Sequence, residues 1–219
     1  MSKILITGSS GGLGKELAIE FARRGNKVIA HGRNRQNLKR FSGDYVVGDI
    51  TEGGTLRELV RRAEGLNILV NNVGTHFDRQ ASKMSMDELR KLMEVNFFSH
   101  VDLTLRVLPI FLEKREGLIV NINSVAGKAG SVGKSAYASS KHALSGFFDS
   151  LKYEVTEQGV RILNIYLGGM KTPMSRHRKE YEDLMDPKEV AKVIVDNCEA
   201  RGSLYVPELH IGRVRYGNH

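Results

Sequence analysis

Three side chains in the middle of the chain could move a proton to or from an oxygen atom. Tyr137 and Lys141 are four residues apart in a predicted helix, so both lie on one helical face, one turn apart. A free tyrosine has a pKa of about 10, and a neighbouring ammonium group favours the phenolate. Ser124, at the end of a predicted strand, could donate a hydrogen bond to a carbonyl oxygen where negative charge develops. A Tyr-x-x-x-Lys pair alone is also typical of an ordinary helix surface.

A glycine-rich turn follows the first predicted strand and opens the first predicted helix. Residues 7–14 read Thr-Gly-Ser-Ser-Gly-Gly-Leu-Gly. Glycines let the backbone approach a phosphate closely, and the free amides at the start of the helix can receive its charge. The same glycines would suit a tight turn that binds nothing, but their place between strand and helix favours a dinucleotide site.

The residues after the second predicted strand indicate which dinucleotide binds. A fold that prefers NAD usually carries an acid here, which accepts a hydrogen bond from the ribose 2′-hydroxyl. This chain has no acid between Glu20 and Asp44 and carries Arg33 instead. A guanidinium would bind a 2′-phosphate, so we predict NADP(H) over NAD(H); the alternative is a plain surface arginine. The hydroxyls of Ser9 and Ser10 are candidates for the same phosphate.

The third and fourth predicted strands also end in residues that could face this ligand. Asp49 follows the third strand, where its carboxylate could accept a hydrogen bond from an adenine amino group or cap the next turn. The fourth strand ends in Asn71-Asn72-Val73-Gly74, where asparagine side chains can satisfy the turn and Gly74 lets a ligand lie close.

Strands and helices must position these residues, and short apolar runs that alternate with longer amphipathic segments predict where those elements lie. The predicted strands are 3–7, 27–31, 45–48, 67–71, 118–123, 160–166 and 204–206. The predicted helices are 13–24, 35–40, 55–64, 85–108, 135–158 and one from Asp186 to about Ala200. Ser85 with Glu88, and Asp186 with Pro187, predict helix starts, whereas Pro109 predicts a helix end. The pattern predicts one α/β domain over residues 1–219 with a parallel sheet covered on both faces.

Composition narrows the function classes. The 219 residues are 41% hydrophobic and 26% charged, the balance of a folded domain, and the single cysteine excludes a disulfide framework and a cysteine-built zinc site. His76 and His177 have no second ligand at a suitable spacing, so we predict no metal. No apolar run reaches the roughly 18 residues that span a bilayer, and the N-terminus lacks a signal-peptide layout, so we expect a cytoplasmic protein without a membrane partner.

The net charge of +8, from 33 Lys and Arg against 25 Asp and Glu, has three interpretations. A solvated basic surface, anionic small molecules and nucleic acid would each suit it. Nucleic acid is disfavoured because the basic residues are dispersed, rarely adjoin aromatic residues, and tryptophan is absent.

Taken together, five stretches resemble the short-chain dehydrogenase/reductase family, in order and over nearly the whole chain. Ser124 precedes Tyr137 by 13 residues, a spacing typical of that family. The five stretches are residues 7–14, residues 71–74, Asn96 within Val-Asn-Phe, Ser124 with Tyr-Ala-Ser-Ser-Lys at 137–141, and residues 167–172. The resemblance implies a doubly wound Rossmann-type sheet of seven strands in the order 3-2-1-4-5-6-7.

The resemblance also implies a role for each catalytic candidate. Tyr137 would be the acid/base, Lys141 would lower its pKa and hold the nicotinamide ribose, and Ser124 would polarise the carbonyl. Asn96 would hold a water in a proton relay to Lys141. The implied reaction is a reversible, NADP(H)-dependent hydride transfer between a nicotinamide and a carbonyl or secondary alcohol. The alternative is a non-catalytic NADP-binding regulator on the same fold, for which we would expect a broken set of these four residues.

The implied cofactor contacts extend along the strand ends. Asp49 would meet the adenine, Asn72 the ribose side, and Thr172 the nicotinamide carboxamide. The full predicted set is Gly8, Ser9, Ser10, Gly12, Leu13, Gly14, Arg33, Asp49, Ile50, Asn72, Gly74, Tyr137, Lys141, Gly169 and Thr172.

The substrate is expected to be a small carbonyl or alcohol compound of unknown identity. Segment 168–185 is the candidate lid, and its brevity suggests an open site or a bulky substrate. The basic residues near it could bind an anionic substrate or form a solvated surface; they are Lys128, Lys134, Arg176, His177 and Arg178. The long helices carry more apolar residues than one sheet can cover, so we expect a homo-oligomer, a dimer or tetramer.

Overall fold

The strands of the chain form one parallel sheet. The computed structural model describes residues 1–41, 44–199 and 204–213. Its strands in that part of the chain are β1 (Lys3–Ile6), β2 (Lys27–Gly32), β3 (Tyr45–Val47), β4 (Ile68–Asn71), β5 (Gly117–Ser124), β6 (Val160–Leu167) and β7 (Glu208–Ile211). Every neighbouring pair is parallel, and the order β3-β2-β1-β4-β5-β6-β7 confirms the predicted topology.

Helices cover both faces of this sheet, as predicted. Over the described residues they are α1 (Gly12–Arg23), α2 (Arg35–Leu38), α3 (Gly53–Arg62), α4 (Met86–Met93), α5 (Ser99–Lys114), α6 (Ser135–Val155) and α7 (Pro187–Cys198). Successive side chains of a strand point to opposite faces, so each strand serves two cores. Ile4 and Ile6 of β1 pack with α1 and α7, whereas Leu5 packs with α3, α5 and α6.

The predicted helix-start signals are present. The Ser85 hydroxyl accepts a hydrogen bond from the Glu88 amide at 3.2 Å, and the Glu88 carboxylate accepts one from the Ser85 amide at 2.8 Å. The Asp186 carboxylate accepts a hydrogen bond from the Lys188 amide at 2.8 Å, with Pro187 in the first turn. Both starts follow from side chains that satisfy otherwise unpaired helix amides.

The single long helix predicted over 85–108 is interrupted and extended. A π-helical segment, Glu94–Phe98, separates α4 from α5, and it carries the buried Asn96. The prediction that Pro109 disturbs the helix end is wrong, because α5 continues to Lys114. Pro109 removes the amide that would bond to the carbonyl of Leu105, and both residues are exposed, so water can satisfy that carbonyl.

By length and composition alone, the helical run Met86–Lys114 is one that could cross a membrane. In the structure, Leu103, Val107 and Phe111 of this run pack into the core beneath the sheet. Core helices of ordinary α/β domains share this length and apolar character.

The predicted seventh strand lies in the wrong place. Residues 204–206 are outside the sheet, with Leu204 exposed, and the strand is Glu208–Ile211 instead. The pairing begins at the Pro207 carbonyl, which accepts a hydrogen bond from the Asn164 amide at 3.0 Å. The Tyr205 hydroxyl bonds to the backbone of Ile162, so this apolar stretch packs against β6 through a side chain. The predicted helix end at Ala200 lies outside the described residues; α7 ends at Cys198.

Candidate active site

A cleft of about 910 Å³ opens along the carboxyl ends of the strands. Its centre lies where β1 and β4 are neighbours and the chain order reverses, the usual ligand position in such sheets. Most of the predicted site residues line it: Gly8, Ser10, Gly12, Leu13, Gly14, Arg33, Asp49, Ile50, Asn72, Gly74, Ser124, Tyr137, Lys141, Gly169 and Thr172.

The glycine turn at the start of α1 is shaped by close backbone approach. Gly8 has a positive φ of 73°, and a Cβ on Gly14 would lie 2.4 Å from both the Gly8 carbonyl oxygen and the Asn72 Nδ2. Asn72 Nδ2 donates a hydrogen bond to the Thr7 carbonyl at 2.8 Å, which ties the turn to β4. The N-cap residue of α1, Gly11, makes no side-chain cap, and the first turn carries no acid. The first amides of α1 are therefore available to an anion.

Ser9 does not take the predicted position. Its side chain is fully buried and its hydroxyl donates to the Ile6 carbonyl at 2.8 Å, while its amide donates to the His31 carbonyl at 2.7 Å. The prediction that this hydroxyl contacts a cofactor phosphate is therefore contradicted, because the turn uses it to satisfy the strand end. Ser10 lies across the turn against Gly32, where a Cβ would be 2.7 Å from the Ser10 Oγ.

Arg33 and Asp49 face each other at the far end of the cleft. Arg33 Nη1 lies 3.7 Å from Asp49 Oδ2, and the arginine side chain is 81% exposed. The other carboxylate oxygen of Asp49 accepts hydrogen bonds from the Thr51 amide at 3.0 Å and the Thr51 hydroxyl at 2.9 Å. The Thr51 amide, more than the Arg33 charge, holds the pKa of Asp49 below its usual value. Asp49 thus caps its turn and keeps one oxygen toward the cleft.

His31 is a lining residue that the sequence analysis did not single out. It is buried under the same end of the cleft, with Nε2 3.2 Å from the Gly48 carbonyl and no partner at Nδ1 among the described residues. Burial lowers the pKa of His31 to about 4, so the ring is neutral at pH 7. The sequence did not predict this position, because a histidine in a strand is not a residue type expected to be buried.

Tyr137, Ser124 and Lys141 meet at the opposite end. Lys141 is almost fully buried, and its ammonium donates to the Ile122 carbonyl at 3.2 Å and lies 6.0 Å from the centre of the Tyr137 ring. Burial raises the pKa of Tyr137, while a hydrogen bond with Ser124 and the charge of Arg178 partly lower it. Burial also lowers the pKa of Lys141 to about 8.

Burial is the largest influence on the pKa of the Tyr137 phenol and outweighs the lowering influences of Ser124 and Arg178. The Lys141 ammonium bonds to the Ile122 carbonyl of β5, 6.0 Å from the centre of the Tyr137 ring. That Lys141 lowers the pKa of Tyr137 stays a prediction.

Asn96 lies beneath the cleft and does not line it. Its Oδ1 accepts a hydrogen bond from the Thr75 amide at 2.8 Å, and its Nδ2 donates to the Thr75 carbonyl at 2.9 Å and to the Ser140 hydroxyl at 3.1 Å. A Cβ on Gly74 would lie 3.6 Å from Asn96 Oδ1 and 4.0 Å from Lys141 Nζ. Asn96 therefore joins the end of β4 to α6 next to the lysine, and its predicted water relay stays a prediction.

The fold and the site define a doubly wound α/β protein of the Rossmann type, and comparison with known proteins gives the family. The family model for short chain dehydrogenases matches residues 2–183. The chain therefore belongs to the short-chain dehydrogenase/reductase family, a family of oxidoreductases.

Individual relatives agree with this assignment. The mouse (Mus musculus) dehydrogenase/reductase SDR family member 7B is 33% identical over 189 residues, which cover 78% of this chain and 58% of that protein. The 3-oxoacyl-acyl-carrier-protein reductase of Vibrio cholerae is 31% identical over 87% of this chain and 86% of its own. A short chain dehydrogenase from Burkholderia cenocepacia, solved in complex with NADP, superposes with a TM-score of 0.86 at 23% identity over 96% of this chain and 88% of its own. The chain thus spans less than two thirds of the mouse relative.

Proposed function

We propose that this protein is an NADP(H)-dependent oxidoreductase that interconverts a carbonyl group and a secondary alcohol. The observation that carries the proposal is the convergence of Ser124, Tyr137 and Lys141 at one end of a cleft whose centre is an uncapped helix start. A hydroxyl, a phenol and an ammonium group in one buried site suit proton transfer to a substrate oxygen.

The residues present fit a dinucleotide with a 2′-phosphate. The cradle formed by Gly8 and Gly14 has no room for a Cβ at Gly14, and the amides of α1 lack a capping side chain. Arg33 offers an exposed guanidinium at the adenosine end, where Asp49 is already engaged with its own turn. The NADP complex of the Burkholderia cenocepacia neighbour supports the same choice of cofactor.

The chain's own residues supply the proton in the reducing direction. NADPH, when bound, supplies the hydride to the carbonyl carbon. The Tyr137 hydroxyl donates its proton to the carbonyl oxygen, and burial, which raises the pKa of this phenol, keeps the proton in place until that moment. Ser124 Oγ accepts from the Ala126 amide at 3.2 Å and hydrogen-bonds with Tyr137, so its own hydrogen can turn from the phenol to the substrate oxygen when a substrate binds.

Lys141 stabilises the phenolate that proton donation leaves behind. With a pKa of about 8 it is largely a cation at pH 7, in a buried position where its charge acts strongly. In the oxidising direction the same residues run in reverse, with the phenolate of Tyr137 accepting the alcohol proton.

We also propose that copies of this chain associate through the helices of one face. Phe98, just before α5, is 50% exposed, and Leu105, within α5, is 51% exposed. Met86 at the start of α4 is 59% exposed. Light scattering of the purified protein tests this: a dimer or tetramer supports it, and a monomer at all concentrations contradicts it.

A cofactor titration followed by a substrate panel tests the proposed function. The protein is titrated with NADPH and separately with NADH, and NADPH absorbance is then followed with a panel of carbonyl compounds. We expect tighter binding of NADPH and turnover of at least one compound. Preference for NADH contradicts the proposed cofactor, and tight binding with no turnover on a broad panel favours a cofactor-binding regulator instead.

A further inference from the structure

The end of the cleft that holds Ser124 and Tyr137, here called the substrate end, carries basic side chains from two separate segments. Lys134 comes from the residue before α6, and His177 and Arg178 come from the segment after β6; all three line the cleft. A Cβ on Gly169 would lie 2.8 Å from Arg178 Nη1, so the half-buried guanidinium rests against the backbone of Gly169. Gly169 and Tyr137 line the same cleft.

These charges act on the catalytic groups. The charge of Arg178 lowers the pKa of Tyr137, opposing burial. The ring of His76 packs edge-on against the Tyr137 ring with centroids 4.6 Å apart. Burial lowers the pKa of His76 most, and the charges of Lys134, Arg178 and His177 lower it further, while Asp78 raises it. The Arg178 guanidinium therefore acts on both rings, Tyr137 and His76.

One carboxylate lies near this end of the cleft: Asp78 pairs with His76 Nε2 at 3.2 Å, and with none of the three basic side chains in the described chain. Asp49, at the far end, is the one acidic residue among the described lining residues. In the described chain, Lys134, His177 and Arg178 make no ion pair, whereas neighbouring cations do: Arg79 pairs with Glu88 at 2.8 Å, and Lys171 pairs with Glu182 at 3.2 Å. A half-buried guanidinium beside the reaction centre without a carboxylate is suited to an anionic ligand.

The segment that carries Arg178 is held in place by its own backbone. The Arg178 amide donates to the Ser175 carbonyl at 3.0 Å, and its carbonyl accepts from the Tyr181 amide at 3.2 Å. The segment closes on itself where the Met185 amide donates to the Gly169 carbonyl at 3.1 Å. The backbone that carries Arg178 is thus ordered before any ligand arrives, which reduces the entropy lost on binding.

We propose that Arg178 binds a carboxylate of the substrate, with Lys134 and His177 adding to the positive field of the guanidinium, so that the substrate class is an oxo acid and the product a hydroxy acid. This inference rests on the proposed function and names the substrate class of the same site. The carboxylate oxygens accept the two hydrogen bonds of the guanidinium, and the carbonyl oxygen a few bonds away lies at Ser124 and Tyr137.

The test compares each oxo acid with its methyl ester, which removes the charge and adds one methyl group. We measure kcat/KM with NADPH for acetoacetate, levulinate and benzoylacetate and for the three esters. The variants are Arg178→Gln and, as matched control, Arg176→Gln, an exposed arginine of the same segment that does not line the cleft. The dissociation constant of NADPH is measured for each variant by calorimetry.

We expect the wild type to prefer the acids. Arg178→Gln should lower kcat/KM for the acids by about 10- to 100-fold more than for the esters, since the loss of one or two charged hydrogen bonds affects the acids alone whereas the changed charge beside Tyr137 affects both, and it should leave NADPH binding unchanged. Arg176→Gln should change none of these values.

Other results overturn the inference and separate it from the proposed function. Equal losses for acids and esters, or a wild type that reduces only esters, would contradict the oxo-acid substrate and leave the oxidoreductase intact. Weaker NADPH binding in Arg178→Gln would mean that the guanidinium holds the cofactor. If no compound is reduced, the acids are titrated into the NADPH-loaded protein, and absence of binding overturns the inference. Absence of NADPH binding itself overturns the proposed function.

Discussion

At the scale of a residue, the buried charge of Lys141 serves the proposed chemistry and lowers the stability of the folded protein. The Lys141 ammonium is almost fully buried, and among the described residues it has a single hydrogen bond, to the Ile122 carbonyl. Burial lowers its pKa to about 8 from 10.5, so at neutral pH the folded protein carries a charge that water would stabilise better. Removing that charge should therefore help folding while it ends catalysis.

Lys141→Met is expected to raise the free energy of unfolding at pH 7 by about 3 kcal/mol. The lysine is protonated in both states below pH 8, where its cost is complete. The cost disappears as pH rises to 10.5, because the unfolded lysine then loses its proton as well. Urea unfolding at pH 7 and pH 10.5 measures the difference, with the exposed Lys192→Met as control. A gain equal at both pH values, or no gain, would contradict the account.

Arg33→Ala is expected to weaken NADPH binding by about 1.5–3 kcal/mol and to leave NADH binding nearly unchanged, because only NADPH carries the 2′-phosphate. Calorimetric titration measures both. The neighbouring Arg35→Ala, exposed and outside the cleft lining, should change neither value. Equal losses for both cofactors in Arg33→Ala would remove the phosphate contact.

The sequence predicted which catalytic candidates lie together, but it did not predict how burial shifts their pKa values. Tyr137, Lys141 and Ser124 were found from spacing and resemblance, and the cleft brings them together. The raised pKa of Tyr137 and the inward hydroxyl of Ser9 depend on burial, which no local pattern reports. Arg178 was one of five basic candidates for an anionic substrate that the sequence could not rank, and His31 was not singled out at all, since the importance of both comes from the strand ends they lie against.

At the scale of an element, the turn between β1 and α1 is held by backbone contacts that leave no space. A Cβ on Gly14 would meet both the Asn72 side chain and the Gly8 carbonyl at 2.4 Å. Because Asn72 also binds the Thr7 carbonyl, the turn and the end of β4 must move together. The predicted phosphate site therefore depends on packing as much as on glycine flexibility.

Gly14→Ala is expected to lower the free energy of unfolding by about 1–3 kcal/mol, from overpacking, and to weaken NADPH binding more than tenfold. Gly146→Ala is the control: it lies in α6 with no atom within 4 Å of its added Cβ, so we expect slight stabilisation and normal binding. Unfolding in urea and cofactor titration measure the two effects. Normal NADPH affinity in Gly14→Ala would contradict the assigned cradle.

Helix boundaries were predictable where a capping side chain sets them. The Ser85 and Glu88 pair and the Asp186 cap gave helix starts that the structure confirms. The end of α5 and the position of β7 were missed. The helix continues past Pro109 because water can satisfy the exposed carbonyl of Leu105. The seventh strand was misplaced because the apolar Tyr205 packs by its side chain, while the less apolar residues 208–211 form the edge strand.

For the whole molecule, two buried histidines, His31 and His100, link stability to pH. His100 is fully buried, with Nε2 2.7 Å from the Val73 carbonyl, and burial lowers its pKa to about 3. Burial lowers the pKa of His31 to about 4. Both rings are neutral in the folded protein where the unfolded chain, with a pKa near 6.5, takes up protons.

Stability should therefore be lost as pH falls from about 6.5 to 4, by up to about 1.4 kcal/mol per pH unit for each histidine. Glu20 and Glu58, whose pKa values are lowered to about 2 by arginine partners, add to the loss only below about 4.5. Urea unfolding at pH 7, 5.5 and 4.5 measures the slope. His100→Gln should reduce it and the exposed His142→Gln should not; identical slopes would contradict the assignment.

The topology was the most predictable level of all. Apolar strands alternating with amphipathic helices allow few arrangements once crossovers are right-handed, and the family resemblance gave the observed strand order. Association between copies and the substrate depend on surfaces and charges that the sheet does not dictate, so both stay proposals.

The central claim is that Tyr137 donates the proton to a substrate carbonyl beside bound NADPH. Tyr137→Phe removes one hydroxyl from a buried ring and keeps its shape, so the most direct measurement is the NADPH consumption and the NADPH dissociation constant of this variant beside the wild type. We predict that turnover falls by about 1,000-fold or more and that the dissociation constant stays the same. Turnover near the wild-type rate would contradict the account.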